Sequence, residues 1–202
     1  MLRPGGFTTV VVKNLLIINA LVYIATNVLN FPGIAERLVL YYPASEYFQP
    51  YQFITYMFMH GGFSHILFNM LGLWMFGSEI EYRFGPKKFL IYYIACGLGA
   101  AALHFGLEYF QGGSDSVLLG ASGAVFGLLV AYGMMFPNNI IMPLFPPIPM
   151  KAKYFVMIYA GIELFSGIGR FSGDNVAHFA HLGGAITGFI LIMIWKRRGE
   201  LY

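Results

Sequence analysis

Apolar runs of roughly 20 residues recur along the chain, broken by short polar stretches that carry glycine and proline. A bilayer core needs roughly 17–25 consecutive apolar residues in a helix. Six segments meet that demand, near 11–30, 64–82, 88–109, 120–136, 153–169 and 176–195. Pro32-Gly33 closes the first, Gly85-Pro86 separates the second from the third, Gly112-Gly113 follows the third and Pro137-Asn138 ends the fourth. The expected fold class is therefore all-α, a polytopic membrane protein built as one domain over residues 1–202 with six transmembrane helices. The stretch Tyr51–His60 is also apolar and aromatic, but it is too short to cross and Gly61-Gly62 follows it. Irregular backbone at membrane depth persists only against protein or water. That stretch is expected to be a loop lying partly in the outer interface, with Ser64 as N-cap of the second span.

Composition excludes the soluble alternative. The chain has 202 residues, 58% of them hydrophobic and 10% charged, where soluble domains carry about 25% charged residues. Its formal charge of +3 does not point to nucleic acid, because the cations are sorted by loop. With the N-terminus inside, the inner segments hold Arg3, Lys13, Arg83, Lys87, Lys88, Lys151, Lys153, Lys196, Arg197 and Arg198, and the outer ones only Arg37 and Arg170. Lys and Arg in short loops stay cytoplasmic, so both termini are expected to be cytoplasmic, with Lys196-Arg197-Arg198 as a stop-transfer anchor. A single cysteine, Cys96, permits no intramolecular disulfide. The first apolar run is too long for a signal-peptide core and no cleavage site follows it. Short loops without a presequence favour a prokaryotic plasma membrane. Oligomeric state is not legible.

Polar groups inside the spans carry the candidate chemistry. Ser122 sits among small residues in Leu119-Gly120-Ala121-Ser122-Gly123-Ala124-Val125-Phe126-Gly127. Such a serine can be simple helix-packing glue. His181, near the head of the last span, raises a second reading, because a hydroxyl and an imidazole at one depth suggest a nucleophile and its base. The second, fourth and sixth spans all run from outside to inside, so His65, Asn69, Ser122 and His181 share the outer layer. The fourth span, at about 17 residues, is ~25 Å long against a core of ~30 Å, which leaves a recess that water can enter. Unsatisfied N–H groups at its head favour an oxyanion. His181 would take the serine proton and return it to a leaving amine. No aspartate obviously orients the imidazole, Asp174 lying beyond the helix head, so the reading is a Ser–His dyad. Phe126, one turn after Ser122, can pack on the imidazole ring, and Gly184 and Gly188 let the sixth span approach the fourth. His65 and Asn69, at i and i+4, can both donate to an oxyanion, or they can simply form an interhelical hydrogen-bonding pair.

Taken in order, His60-x4-His65-x3-Asn69, then Gly120-Ala121-Ser122-Gly123, then Ala180-His181-x2-Gly184-x3-Gly188 resemble the signature of rhomboid intramembrane serine proteases. The resemblance spans about Tyr51 to Gly188. It implies a six-transmembrane-helix rhomboid-like bundle with Ser122 as nucleophile and His181 as base. The oxyanion hole it implies consists of His65, Asn69 and the Ser122 N–H. Glu81 and Arg83 match structural positions, and a mobile fifth span that gates substrate entry is a further family feature. Substrates would be single-span membrane proteins cut near the outer face, after a small residue and before a helix-destabilising stretch, with no cofactor. Two departures stand out: Tyr51-Gln52 replaces a frequent Trp-Arg pair, and Phe126 stands where some members have Tyr.

Other groups have plainer readings. His60 is expected to be structural. His178 with His60 and His65 invites a metal, but His-x-x-His without the zincin Glu is a poor signal, and no metal is expected. His104 and Glu108 look interfacial. Glu163 is ionisable at membrane depth and so a functional candidate by default, in a buried hydrogen bond or facing water. The Pro143–Pro149 run is read as a stiff cytoplasmic connector. Two other classes stay open: an inactive rhomboid-like protein that binds clients, and a small transporter or channel that uses the same polar layer.

Overall fold

The computed structural model describes residues 8–110, 116–143, 147–169 and 177–201. Arg3, Gly112, Gly113, Arg170, Asp174 and the middle of the 143–149 run lie outside the described residues.

Helices dominate. The first is α1 (Val10–Tyr23), continued by a π turn over Ile24–Val28. Short α2 (Ile34–Leu38), strand β1 (Leu40–Tyr41), one-turn α3 (Gln52–Thr55) and a 3₁₀ turn (Tyr56–Phe58) make the first connection. Helix α4 (Phe63–Gly72) runs through a π turn (Leu73–Gly77) into α5 (Ser78–Phe84). Then come α6 (Pro86–Phe110), β2 (Val117–Leu118) and α7 (Ser122–Met135). The chain ends with β3 (Ile140–Ile141), β4 (Met150–Lys151), α8 (Ala152–Gly169) and α9 (His178–Arg197). Among the described residues three helices are long and apolar enough to cross a membrane: Val10–Val28, Pro86–Phe110 and His178–Arg197.

Helix α7 is the axis of the bundle. Its residues 127–131 are buried without a break, as expected of a helix that is apolar all round and enclosed by its neighbours. Around it, the outward faces carry side chains a soluble protein could not leave bare, such as Leu21 at 61% exposure, Phe165 at 69% and Ile168 at 70%. Apolar surface of that extent needs lipid or protein against it.

Glycines set how closely the inner helices meet. A methyl group on Gly184 of α9 would overlap the carbonyl of Gly123 in α7, and one on Gly188 would lie 3.1 Å from the Gly127 backbone. A methyl group on Gly183 would lie 2.5 Å from the carbonyl oxygen of Gly99 in α6. Backbone-to-backbone packing of this kind is how small residues join membrane helices. The Tyr92 hydroxyl then donates to Gly127 O at 2.7 Å, tying α6 to α7 inside the seam.

Two expectations about helix ends change. Gly62, not Ser64, holds the cap position of α4, with φ 175° and no side-chain cap; Ser64 lies inside the first turn. At the other end of this rod, Glu81 caps a different helix. Its carboxylate accepts from Thr9 Oγ1 at 2.5 Å, Val11 N at 2.9 Å and Val12 N at 2.8 Å. A carboxylate on those orphan N–H groups satisfies them and meets the positive end of the α1 dipole.

The first connection is also better anchored than Tyr51-Gln52 suggests. Gln52 is buried, accepts from Gln49 N at 3.0 Å and donates to Tyr47 O at 3.2 Å. Thr55 Oγ1 donates to Leu38 O at 2.8 Å. An amide that both donates and accepts closes this loop locally without an arginine.

Candidate active site

The segment that delivers Ser122 is fixed from both sides. Strand β2 pairs antiparallel with β1, Leu40 opposite Leu118 and Tyr41 opposite Val117. Two residues on, Gly120 N donates to Tyr56 O at 2.9 Å. Gly120 adopts φ +117°, a conformation side chains rarely adopt, and a Cβ there would sit 2.8 Å from His65 Nε2. Glycine is therefore required twice, once for the backbone and once for the room it gives the imidazole. Helix α7 starts at the next residue but one, with Ser122 as its first residue.

Ser122 meets His181 across the glycine seam. Ser122 Oγ and His181 Nε2 are 2.7 Å apart. The imidazole lies flat on Phe126, ring centroids 4.5 Å apart and planes 8° from parallel. Parallel overlap at that distance holds the ring from one side, and Phe126 supplies it without a phenolic hydroxyl. Both side chains belong to helices whose backbones touch at Gly123, next to Ser122, and at Gly184, three residues after His181. The hydrogen bond and the seam are one geometric unit. His181 is 9% exposed and Ser122 half-buried, so neither faces lipid freely.

Helix α7 has 14 residues, about 21 Å of rise, shorter still than the sequence suggests. That is shorter than a core of ~30 Å, and the N–H groups of its first turn have no intrahelical acceptor.

His65 and Asn69 stand on α4, one turn apart. Gly61 N donates to His65 Nδ1 at 3.3 Å. In the neutral ring that bond leaves the proton on Nε2, the atom that faces Gly120 beside Ser122. Asn69 Nδ2 donates to His65 O at 2.9 Å and is buried. His60 stacks edge-on against His65, centroids 5.0 Å apart. It is buried and its Nδ1 lies 3.3 Å from Phe58 O, while Asn27 Nδ2 donates to His60 O at 3.0 Å. These contacts make His60 part of the loop that supports His65.

The group that sequence reasoning left unplaced is Glu163. It points inward from α8 at 9% exposure, while Ile162 and Leu164 beside it are about half exposed. Its Oε2 lies 2.6 Å from His178 Nδ1 and 2.9 Å from His181 Nδ1. The first contact is an aligned hydrogen bond; the second is longer and lies off the N–H direction. Glu163, His178 and His181 have donor atoms all within 4.8 Å of one another, near enough to consider a metal. A tetrahedral ion with ligands at ~2.0–2.1 Å keeps them about 3.3 Å apart. The observed contacts are shorter and fit bridging protons better. His178 does not gather with His60 and His65, which form their own stacked pair.

His104 and Glu108 pair with each other at 3.5 Å, and Ser116 Oγ donates to Glu108 at 2.6 Å. Arg83 lies over the Phe136 ring, 5.2 Å from its centroid.

A bundle of apolar helices with a serine–histidine pair at the head of its enclosed helix defines a class: polytopic helical membrane proteins built round an internal polar site. A rhomboid-domain family model matches residues 47–198. YdcA of Bacillus subtilis strain 168, a rhomboid by name, is 31% identical over 74% of this chain and 69% of its own length. Rhomboid protease GlpG of Yersinia pseudotuberculosis is 26% identical over 89% of this chain, as is GlpG of Yersinia pestis. The chain spans about 60% of the length of these GlpG proteins. It belongs to the rhomboid family, and it is an integral membrane protein.

Proposed function

We propose that this protein is an intramembrane serine endopeptidase in which Ser122 is the nucleophile and His181 the general base. The observation that carries the reading is the 2.7 Å contact between Ser122 Oγ and His181 Nε2 at the head of the short helix α7. Ser122 Oγ attacks a substrate carbonyl while its proton passes to Nε2. The oxyanion accepts hydrogen bonds from the Ser122 N–H, His65 Nε2–H and Asn69 Nδ2. Nε2 then returns the proton to the leaving amine, and water hydrolyses the acyl-enzyme. Preorganised donors are worth most where water is scarce, and the buried position of Asn69 and His181 supports this.

The substrates are membrane proteins with a single span, cut near the outer face. Distribution of Lys and Arg along the chain supports cytoplasmic termini. With that orientation the head of α7 lies in the outer third of the bilayer, which we read as a prokaryotic plasma membrane.

The test is cleavage of a model single-span substrate by full-length protein in lipid vesicles. Wild type should cut, and Ser122→Ala and His181→Ala should each abolish cutting with unchanged thermal unfolding. Cleavage that survives both substitutions would refute the reading. A folded wild type that binds spans and cuts none would instead point to the inactive client-binding class.

A further inference from the structure

We infer that Glu163 is the positioning residue for His181: from α8, its carboxylate accepts a hydrogen bond from Nδ1–H and so keeps the Nε2 lone pair on Ser122. The inference rests on the serine-protease reading above and adds a third member to its pair.

The argument begins with tautomers. A neutral imidazole carries one proton, and the bond made by one ring nitrogen decides the state of the other. To accept a proton from Ser122 Oγ, Nε2 must be unprotonated, so Nδ1 must hold the hydrogen. Only an acceptor near Nδ1 enforces that. Glu163 Oε2, at 2.9 Å, is the acceptor placed there, and no described group makes an aligned hydrogen bond to Nδ1 in its stead. Phe126 covers a face of the ring and cannot choose between the nitrogens. Catalytic hydrogen bonds are often poorly aligned at rest and tighten with substrate bound, so the off-line approach of the carboxylate is consistent with this role.

His178 gives the carboxylate its own anchor. Its Nδ1 donates to the same Oε2 at 2.6 Å. The His178 hydrogen bond, with His181 Nδ1 only 2.9 Å from the same oxygen, holds Glu163 beside both histidines and stabilises its charged form where a bare carboxylate would be costly. When Ser122 gives its proton to Nε2, the ring becomes imidazolium with Nδ1–H unchanged. Glu163 stays ionised beside that positive charge, and the proton leaves from Nε2 to the amine. No proton passes to the carboxylate, so the step balances without another reactant.

Because Glu163 stands on a different helix from Ser122 and His181, the effect of its loss separates from the effect of losing the pair. The experiment combines kinetics with nitrogen-15 NMR of histidine-labelled full-length protein in lipid nanodiscs. The His181 signals are assigned by difference from His181→Gln. Wild type should show His181 protonated at Nδ1. Glu163→Gln and Glu163→Ala should move that proton towards Nε2. They should lower kcat by about 10²-fold or more, against ~10⁴-fold where a triad aspartate is neutralised, with KM changed less than about twofold. Glu163→Asp should recover part of kcat.

A structural role alone would lower stability without moving the tautomer. A wild-type His181 protonated at Nε2, or ligated to metal at Nδ1, would overturn the inference without any variant. So would Glu163→Gln with wild-type kcat, or with lowered kcat and an unmoved proton. If Glu163→Ala does not fold, the wild-type tautomer and Glu163→Gln decide. Absence of cleavage in wild type itself would instead strike the protease reading, which separates the two failures.

Discussion

Gly184→Ala tests the coupling between helix packing and chemistry most severely. The added methyl would overlap Gly123 O and lie 3.1 Å from Gly123 Cα. Backbone atoms cannot swing aside as a flexible side chain can. Restoring a separation of ~3.5 Å means that α7 and α9 part by on the order of 1 Å. Overpacking of this kind costs about 1–3 kcal/mol. The larger consequence is local, because Gly123 adjoins Ser122 and Gly184 lies three residues after His181. A shift of ~1 Å in a catalytic pair can cost 10²-fold in rate. Gly106→Ala is the control, since nothing lies within 4 Å of its added methyl. A helix-interior Gly→Ala change with open space should stabilise by about 0.5–1 kcal/mol and leave turnover alone. Both variants are compared for substrate cleavage and for thermal unfolding in the same lipid. Gly184→Ala with wild-type turnover and a raised unfolding temperature would refute the reasoning.

Three further outcomes are expected. Removing the cap in Glu81→Ala leaves two helix N–H groups and a threonine hydroxyl unpaired, which should destabilise the fold by about 3 kcal/mol; a change under about 0.5 kcal/mol by reversible unfolding would contradict the capping role. Asn69→Ala should lower kcat by up to ~10²–10³-fold with little change in unfolding temperature, and an unchanged kcat would contradict the proposed oxyanion role of Asn69. His60, outside the spans, has its pKa lowered from 6.5 to about 4 by burial and by His65. The closed loop thus prefers neutral His60, and its stability is full above pH 6.5 and falls as pH drops from there towards 4. Hydrogen exchange over residues 51–62 should accelerate across that window by the equivalent of about 3 kcal/mol, and intrinsic-rate-corrected protection that stays flat would contradict it.

The parts of the site carried by local sequence were legible. Ser122 and His181 announce themselves as polar groups at the heads of apolar runs, Phe126 by its i+4 spacing, and Gly184 and Gly188 by small-residue periodicity. What stayed hidden depends on contacts between distant segments. Glu163 is 15 residues before His178 and 18 before His181, on another helix, and only the rotation of α8 about its axis turns it inward. The two-residue strands β1 and β2 are too short for any alternation to register, yet they set the approach to Ser122. Gly120 reads as one more small residue until its φ of +117° and its contact with His65 are seen. The π turns in the α1 rod and between α4 and α5 leave no mark in composition. Each inserts a residue and turns the following face by ~100°, which helps bring Glu81 beneath α1.

The central claim, that His181 activates Ser122 within the membrane, is tested most directly by a fluorophosphonate probe and peptide mass spectrometry. The account predicts one covalent phosphonyl adduct, on the peptide containing Ser122, formed by wild type and by neither Ser122→Ala nor His181→Ala. An adduct on any other residue, or equal labelling of Ser122 when His181 is replaced, would contradict it.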